Sequence, residues 1–147
     1  MSGSDALSVL VTTVASDSHT WNLVYLELAL TELGHTVRNL GPCVPADVVV
    51  RAALADRPDL VVVSTVNGHG YRDGIELIRR LRRRPELASL PVVIGGKLGI
   101  GGPAGPAGRA GRARLRAAGF DAVFEEGAGT VLALRSLPGL VRIGRAA

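Results

Sequence analysis

Three short segments rich in polar and glycine residues contain the side chains that could do chemistry. The first contributes Ser16, Asp17, Ser18, His19, Thr20 and Asn22. The second contributes Ser64, Thr65, Val66 and Gly68, and the third is the run Gly95, Gly96, Lys97, Leu98, Gly99, Ile100 and Gly101. Small residues let a bulky ligand approach the backbone. Taken singly, the first segment could be a loop pair that caps a helix, and the glycines could be turn residues.

The elements that must position these segments alternate between strands and helices. Runs rich in Val, Leu and Ile predict strands over 7–14, 36–40, 60–66, 90–94 and 120–124. Apolar residues at helical spacing predict helices over 22–33, 46–55, 72–84, 109–118 and 130–137. Five such units with short connections predict one α/β domain, a flavodoxin-like (Rossmann-like), doubly wound, five-stranded parallel sheet of order 2-1-3-4-5.

Two parts of the chain depart from this regular pattern. Residues 102–113 read Gly-Pro-Ala twice and then Gly-Arg-Ala twice, which is too short for a collagen triple helix. We expect a flexible loop there, leading into the fourth helix. We also expect one domain over residues 1–147, with flexible ends at 1–6 and from about 140 to 147.

Composition excludes several classes of protein. With 47% apolar and 20% charged residues the chain is not intrinsically disordered, and it has no apolar run of the roughly 20 residues that span a membrane. Cys43 is the only cysteine, which excludes an internal disulfide or a thiolate cluster. The start of the sequence lacks a signal-peptide pattern. We expect a cytoplasmic protein without membrane association.

Charge gives a weaker indication. Seventeen basic residues, all but Lys97 arginine, oppose thirteen acidic ones, for a formal net charge of +4. The arginines concentrate at 79–84, which includes Arg82, and at 109–116, while aromatic residues make up only 3%. Nucleic-acid surfaces combine basic residues with aromatics that stack on bases. We therefore interpret these stretches as two solvated helix faces and expect no nucleic-acid partner.

The three segments follow predicted strands 1, 3 and 4. A doubly wound sheet binds ligands at the carboxyl ends of its strands, where strands 1 and 3 diverge. A receiver domain would need an aspartate where Ser64 and Thr65 stand, and Asp17 would repel a flavin phosphate. A zinc site would find only His69 as a further ligand, and a serine hydrolase elbow is absent.

The order and spacing of these motifs resemble the cobalamin-binding domain family, most closely the small subunits of glutamate mutase (methylaspartate mutase). The matching residues are Asp17-x-His19, Ser64-Thr65, Gly68-x-Gly70, Gly95-Gly96, Ala118-Gly119-Phe120-Asp121 and Gly127. The resemblance implies that cobalamin binds with its benzimidazole displaced, His19 as the axial cobalt ligand and Asp17 hydrogen-bonded to the other ring nitrogen.

The same resemblance implies the rest of the cofactor site. The segment around His19, together with Ser64, Thr65 and Val66, would line the slot for the nucleotide tail, and the backbone of 97–101 would approach that tail. Asn22 replaces a glycine of the family and follows the bulky Trp21, so it could narrow the slot or could serve as a helix N-cap. Lys97 replaces a smaller residue and could contact the tail phosphate or face solvent.

The resemblance also implies a partner. It indicates the small subunit of an adenosylcobalamin-dependent isomerase whose large (β/α)₈-barrel subunit holds the substrate, in a heterotetramer of two small and two large subunits. Alternatives are a stand-alone cobalamin carrier, a corrinoid methyl carrier or a sensor, and an interaction domain that has lost the cofactor. Substrate contacts would lie on the other subunit.

Overall fold

Strands and α-helices alternate along the chain in the computed structural model, which describes residues 6–99, 105–125 and 130–146. The strands are β1 (Ser8–Thr12), β2 (Thr36–Asn39), β3 (Leu60–Thr65), β4 (Val92–Gly96) and β5 (Ala122–Glu125). The helices are α1 (Trp21–Glu32), α2 (Ala46–Asp56), α3 (Gly70–Arg83), α4 (Pro106–Ala118) and α5 (Thr130–Ala146), with a short 3₁₀ turn at Pro85–Leu87.

The strands form one parallel sheet of order β2-β1-β3-β4-β5. The predicted fold class and strand order are therefore confirmed. All six residues of the central strand β3 are buried, which explains why its first four residues are a continuous apolar run rather than an alternating one. No helix in the described part of the chain is long and apolar enough to cross a membrane.

An apolar core lies on each side of the sheet. Val61 and Val63 face the layer that contains α2, α3 and α4, whereas Leu60 and Val62 face α1 and α5. This division follows from strand geometry, because successive side chains point to opposite faces of a sheet. The two helical layers cover both faces of the sheet, and the connecting loops lie at its carboxyl edge.

Two helices extend beyond their predicted limits. The expected loop at 102–113 is wrong from Pro106 onward, because α4 begins at this proline, which suits the first helical turn. Residues 102–104 lie outside the described ranges. Helix α5 continues past Leu137 to Ala146, since Leu137 and Val141 are both buried on its inner face. The end from about 140, expected to be flexible, is thus helical to residue 146.

Arg82 does not belong to a solvated face, so that prediction is wrong for this residue. Its side chain is only 19% exposed. One terminal nitrogen donates to the carbonyl oxygens of Leu87 and Leu90, at 2.8 and 2.7 Å, and the other to that of Gly119, at 2.8 Å. It also pairs with Asp121 at 3.1 Å. The guanidinium therefore joins the end of α3 to the turn before β5.

Candidate functional site

The three chemistry-bearing segments meet at the carboxyl edge of the sheet. We call the described residues 15–22, 66–70 and 97–99 the rim. Side chains of the first segment bond to the second, as detailed below. The second contacts the third, because the Tyr71 backbone N–H donates to the Leu98 carbonyl oxygen at 3.3 Å. Ile100 and Gly101 lie outside the described residues.

Asp17 is the buried centre of the rim, with a side chain that is 0% exposed. Its Oδ2 accepts hydrogen bonds from the Thr65 hydroxyl at 2.6 Å and the Val66 N–H at 2.8 Å. Its Oδ1 accepts from the His19 backbone N–H at 3.0 Å and lies 2.7 Å from His19 Nδ1. A buried carboxylate is tolerated when its oxygens are satisfied in this way.

These contacts decide the ionisation of Asp17. Burial alone raises the pKa of its carboxyl, because a charge is costly away from water. The hydrogen bonds from Thr65, from the backbone of His19 and Val66, and from the His19 side chain outweigh that effect and lower the pKa to about 2. Asp17 is therefore a carboxylate at neutral pH.

The orientation of His19 follows from this charge. An ionised carboxylate only accepts hydrogen bonds, so Nδ1 of the imidazole must carry the proton in the 2.7 Å contact with Asp17. The Nε2 lone pair is then available, and no described residue hydrogen-bonds to Nε2. The His19 side chain is 48% exposed. The rim thus presents one oriented, basic nitrogen ligand to whatever lies over it.

The donor set at the rim fits an axial position on a metal that another ligand already holds. Among the described residues no group of three or more His, Cys, Asp or Glu side chains could hold a metal ion. A zinc or calcium site needs several protein ligands. A single imidazole, oriented by a carboxylate, matches the protein's share of a metal carried in a macrocycle such as a corrin or haem.

A second hydrogen-bond network ties the first loop to α3, and sequence reasoning missed two of its members. The Ser16 hydroxyl donates to Asp73 in the first turn of α3. Asn67 Nδ2 donates to Ser16 Oγ at 2.9 Å, and Asn67 Oδ1 accepts from the His69 N–H at 3.0 Å. An Asn just after a strand that bonds its own loop is a common turn device and could have been a signal.

Asn22 faces inward, so the interpretation as a helix N-cap is wrong. The N-cap position belongs to Thr20, whose side chain makes no capping bond. Asn22 is 5% exposed, and its Nδ2 donates to Ser64 Oγ at 2.8 Å. Its Oδ1 is buried without a hydrogen-bond partner. The side chain therefore fills space between α1 and β3 and leaves one acceptor unsatisfied there.

The glycines at the end of β4 and just after it are required by packing within the protein. Gly96 has φ +114°, and a Cβ there would overlap the Thr65 carbonyl oxygen. A Cβ on Gly95 would lie 2.9 Å from the Phe124 carbonyl oxygen, and one on Gly99 would lie 2.5 Å from the Tyr71 ring. These positions need glycine for neighbouring strands and side chains to approach.

The remaining predicted site residues differ in exposure. Ser18, Thr20 and Lys97 are exposed on the rim, and Gly68 lies in a turn with φ +85°. Leu98 is fully buried within the core that contains α3, so its side chain cannot reach a ligand on the rim. The structure brings Asp17, His19, Thr65 and Val66 into direct contact and leaves the others around them.

Fold and site together define a flavodoxin-like domain that offers one histidine ligand at its strand ends. The family model for the B12 binding domain matches residues 7–135. The chain belongs to the B12 binding domain family.

Individual relatives and a solved structure agree with that family. The glutamate mutase sigma subunit of Halobacterium salinarum is 33% identical over 124 residues, which cover 84% of this chain and 79% of the relative. The transcriptional repressor CarH of Myxococcus xanthus is 40% identical over 80 residues, 54% of this chain and 26% of CarH. The crystal structure of a cobalamin-binding protein from Desulfitobacterium hafniense has a similar fold, with a TM-score of 0.70, 20% identity, and coverage of 92% of this chain and 59% of that one.

Proposed function

We propose that this chain is the cobalamin-binding small subunit of a two-component, adenosylcobalamin-dependent carbon-skeleton mutase that interconverts glutamate and 3-methylaspartate. The observation that carries the proposal is the contact between His19 Nδ1 and the buried, ionised Asp17, which leaves Nε2 available to a ligand. The sigma-subunit relative supports the choice of mutase, because the match covers most of both chains.

In this proposal His19 would hold the cobalt through Nε2, and Asp17 would set the strength of that ligand. The carboxylate holds the imidazole in one tautomer and orientation and raises the basicity of Nε2. Thr65 and Val66 in turn hold the carboxylate, at 2.6 and 2.8 Å. Adenosylcobalamin, when bound, supplies radical chemistry through homolysis of its cobalt–carbon bond. The chain's own task would be to hold the cobalt with a nitrogen ligand that Asp17 has already oriented.

The proposed partner is a large (β/α)₈-barrel subunit, in a heterotetramer of two small and two large subunits. His19 stands on an exposed rim, so a cofactor lying on it would have its far face open to solvent. Enzymes close such sites to prevent side reactions of reactive species. The partner would supply this closure and the substrate contacts.

A second candidate is a cobalamin carrier or sensor without mutase activity, including a corrinoid methyl carrier. The match to CarH favours this alternative, although it covers only 54% of the chain. The two candidates share the cofactor and differ in the partner. Assays with adenosylcobalamin and glutamate, with and without a candidate large subunit, distinguish them. Turnover by the isolated chain would contradict the two-component proposal, and absence of turnover with any barrel subunit would favour the alternative.

The axial ligand can be tested without any partner. We would load the chain with cobalamin, reduce it to the paramagnetic Co(II) state and record its EPR spectrum, once with unlabelled protein and once with ¹⁵N-labelled protein. Coupling to a protein nitrogen changes from a triplet to a doublet on labelling, because the two nitrogen isotopes differ in nuclear spin. Coupling to the cofactor's own benzimidazole is unaffected.

Two histidine variants complete this test. His19→Ala should abolish the protein-derived nitrogen coupling. His69→Ala, a matched control from the exposed part of the same rim, should leave it unchanged. An EPR spectrum without an isotope effect, or a protein-derived nitrogen coupling that persists in His19→Ala, would refute the assignment of His19 as the cobalt ligand.

A further inference from the structure

An open groove of about 620 Å³ runs between α3 and α4, and its described lining residues do not belong to the rim. It is lined by Tyr71, Arg72, Ile75, Glu76, Arg79, Arg80, Arg83 and Arg114. Sequence reasoning treated the two arginine-rich stretches as separate faces. The packing of α3 against α4 instead places arginines from both helices around a single concavity.

The charge of this groove is unusual for the chain. Its walls hold five arginines and one glutamate, an excess of four positive charges. The formal net charge of the whole chain is also +4. The rest of the chain therefore contains equal numbers of basic and acidic residues. The net positive charge of the chain equals that of the groove.

The arginines of the groove are poorly neutralised from within. Within the described ranges Arg79, Arg83 and Arg114 have no hydrogen-bond or ion-pair partner, and Arg80 lies 4.0 Å from Glu76, at the limit of an ion pair. Arg72 pairs with the neighbouring Asp73. Like charges held close together repel one another and disfavour the folded state. An acidic ligand would relieve that repulsion.

The floor of the groove is apolar. Tyr71 and Ile75 are half-buried one turn apart on α3 and pack against the core below. The Tyr71 ring occupies the space that a Cβ on Gly111 of α4 would need, so the two helices approach closely at this point. A ligand that fills the groove would contact an apolar strip flanked by arginines.

We propose that this groove binds an acidic amphipathic helix of a partner protein. From Arg72 to Arg83 the wall rises about 16 Å at the helical rise of 1.5 Å per residue, the length of three turns of a docked helix. Acidic side chains of that helix would meet the arginines, and its apolar positions would meet Ile75. Because α3 starts at the rim, the partner would be the subunit that covers the rim. This identification of the partner rests on the proposed function.

Nucleic acid fits this surface less well. A protein reads duplex DNA by inserting a convex element into a groove, whereas these arginines line a concavity. Single strands are held by aromatic side chains on which bases stack, and among the described residues only Tyr71 brings an aromatic ring to the groove. Glu76 in the wall would repel phosphates. Nucleic acid is therefore the occupant to be tested against.

The test uses a labelled helical peptide of about 20 residues with glutamates and leucines on one face, and fluorescence anisotropy at low salt. Arg79→Glu on α3 and Arg114→Glu on α4 should each weaken binding by about 5-fold or more, and added salt should narrow that difference. Arg135→Glu on α5, across the sheet, is the matched control and should change binding less than 2-fold. Ile75→Ser should weaken binding of this amphipathic peptide but not of a scrambled peptide of the same composition.

Several outcomes would overturn the proposal. These are no measurable peptide binding, equal binding of a scrambled peptide of the same composition, or an equal loss in the Arg135→Glu control. Tighter binding of duplex or single-stranded DNA, lost in the same groove variants, would assign the groove to nucleic acid instead. Because the assay contains no cobalamin, it can fail while the axial-ligand test succeeds, and the reverse.

Discussion

Replacing Thr65 by valine isolates the hydrogen bond that supports the buried carboxylate. The Thr65 hydroxyl donates to Asp17 Oδ2 at 2.6 Å, and both side chains are fully buried. Valine keeps the shape of threonine but offers no hydrogen-bond donor. Water could replace the lost hydrogen bond only by entering the core. We expect the pKa of Asp17 to rise and the protein to be less stable at neutral pH.

The magnitude follows from the ionisation of Asp17. Its pKa falls from 3.8 to about 2 on folding. At about 1.4 kcal/mol for each tenfold change, the ionised carboxylate contributes about 2 kcal/mol of stability. A hydrogen bond to a charged group is worth about 1.5–3 kcal/mol. Thr65→Val should therefore raise the pKa of Asp17 by about 1 to 2 and lower the free energy of unfolding at pH 7 by about 2 kcal/mol.

The sign of the pH dependence is fixed by the direction of that shift. Because the folded pKa is lower than the unfolded value, the contribution of Asp17 is complete above about pH 4 and is lost as the pH falls towards 2. The stability difference between wild type and Thr65→Val should shrink over the same range. Urea unfolding between pH 7 and about pH 2, with an NMR titration of the Asp17 carboxyl carbon, measures both quantities.

Thr65→Ser is the matched control. Serine keeps the hydroxyl and loses the methyl group that packs against Gly70. It should cost about 1 kcal/mol at every pH and leave the pKa of Asp17 low. If Asp17 titrates near 3.8 in the wild type, or if valine and serine give the same Asp17 pKa, the reasoning about this carboxylate is wrong.

Two other substitutions test the neighbourhood of the site. Asn22→Gly removes a buried side chain that donates to Ser64 Oγ and puts glycine into a helix, so unfolding in urea should show a free energy of unfolding lower by about 2 kcal/mol. Titration should show tighter cobalamin binding if Asn22 narrows the tail slot, and equal affinity would contradict that role. Gly96→Ala should cost about 3 kcal/mol, because strain at positive φ adds to overlap with the Thr65 carbonyl oxygen. Gly41→Ala, also at positive φ but in open space, should cost only about 1 kcal/mol in the same assay, and equal losses would exclude the overlap as a cause.

The fold could be predicted from the sequence because its signals are local and repeated. Apolar runs such as 60–66 and the helical spacing of the intervening segments each specify one element, and parallel topology follows from their alternation. The meeting of the three polar segments at one edge followed from the same topology. The Asp17–His19 contact joins residues with only one residue between them, which is within the reach of a loop.

The sequence was less informative where a residue type is compatible with two different environments. Asn22 suits a helix cap by residue type, but the space between α1 and β3 turned it towards Ser64. Arg82 sits in a run of arginines, yet its guanidinium points towards the carbonyl oxygens of Leu87 and Gly119, outside its own helix. The meeting of Arg79 and Arg114 depends on how closely α3 and α4 pack. Such outcomes are set by long-range packing, which spacing along the chain does not encode.

The inward guanidinium of Arg82 has a consequence for how this domain opens. It bonds the carbonyl oxygens of Leu87 and Leu90, which precede β4, and of Gly119, which precedes β5, so separating α3 from these two turns breaks several charge-assisted hydrogen bonds at once. The segment from α3 to β5 should therefore exchange its amide hydrogens in a single cooperative step rather than one element after the other. The helix that presents arginines to the groove is thus part of one foldon with β4, and local fraying will not reshape that wall.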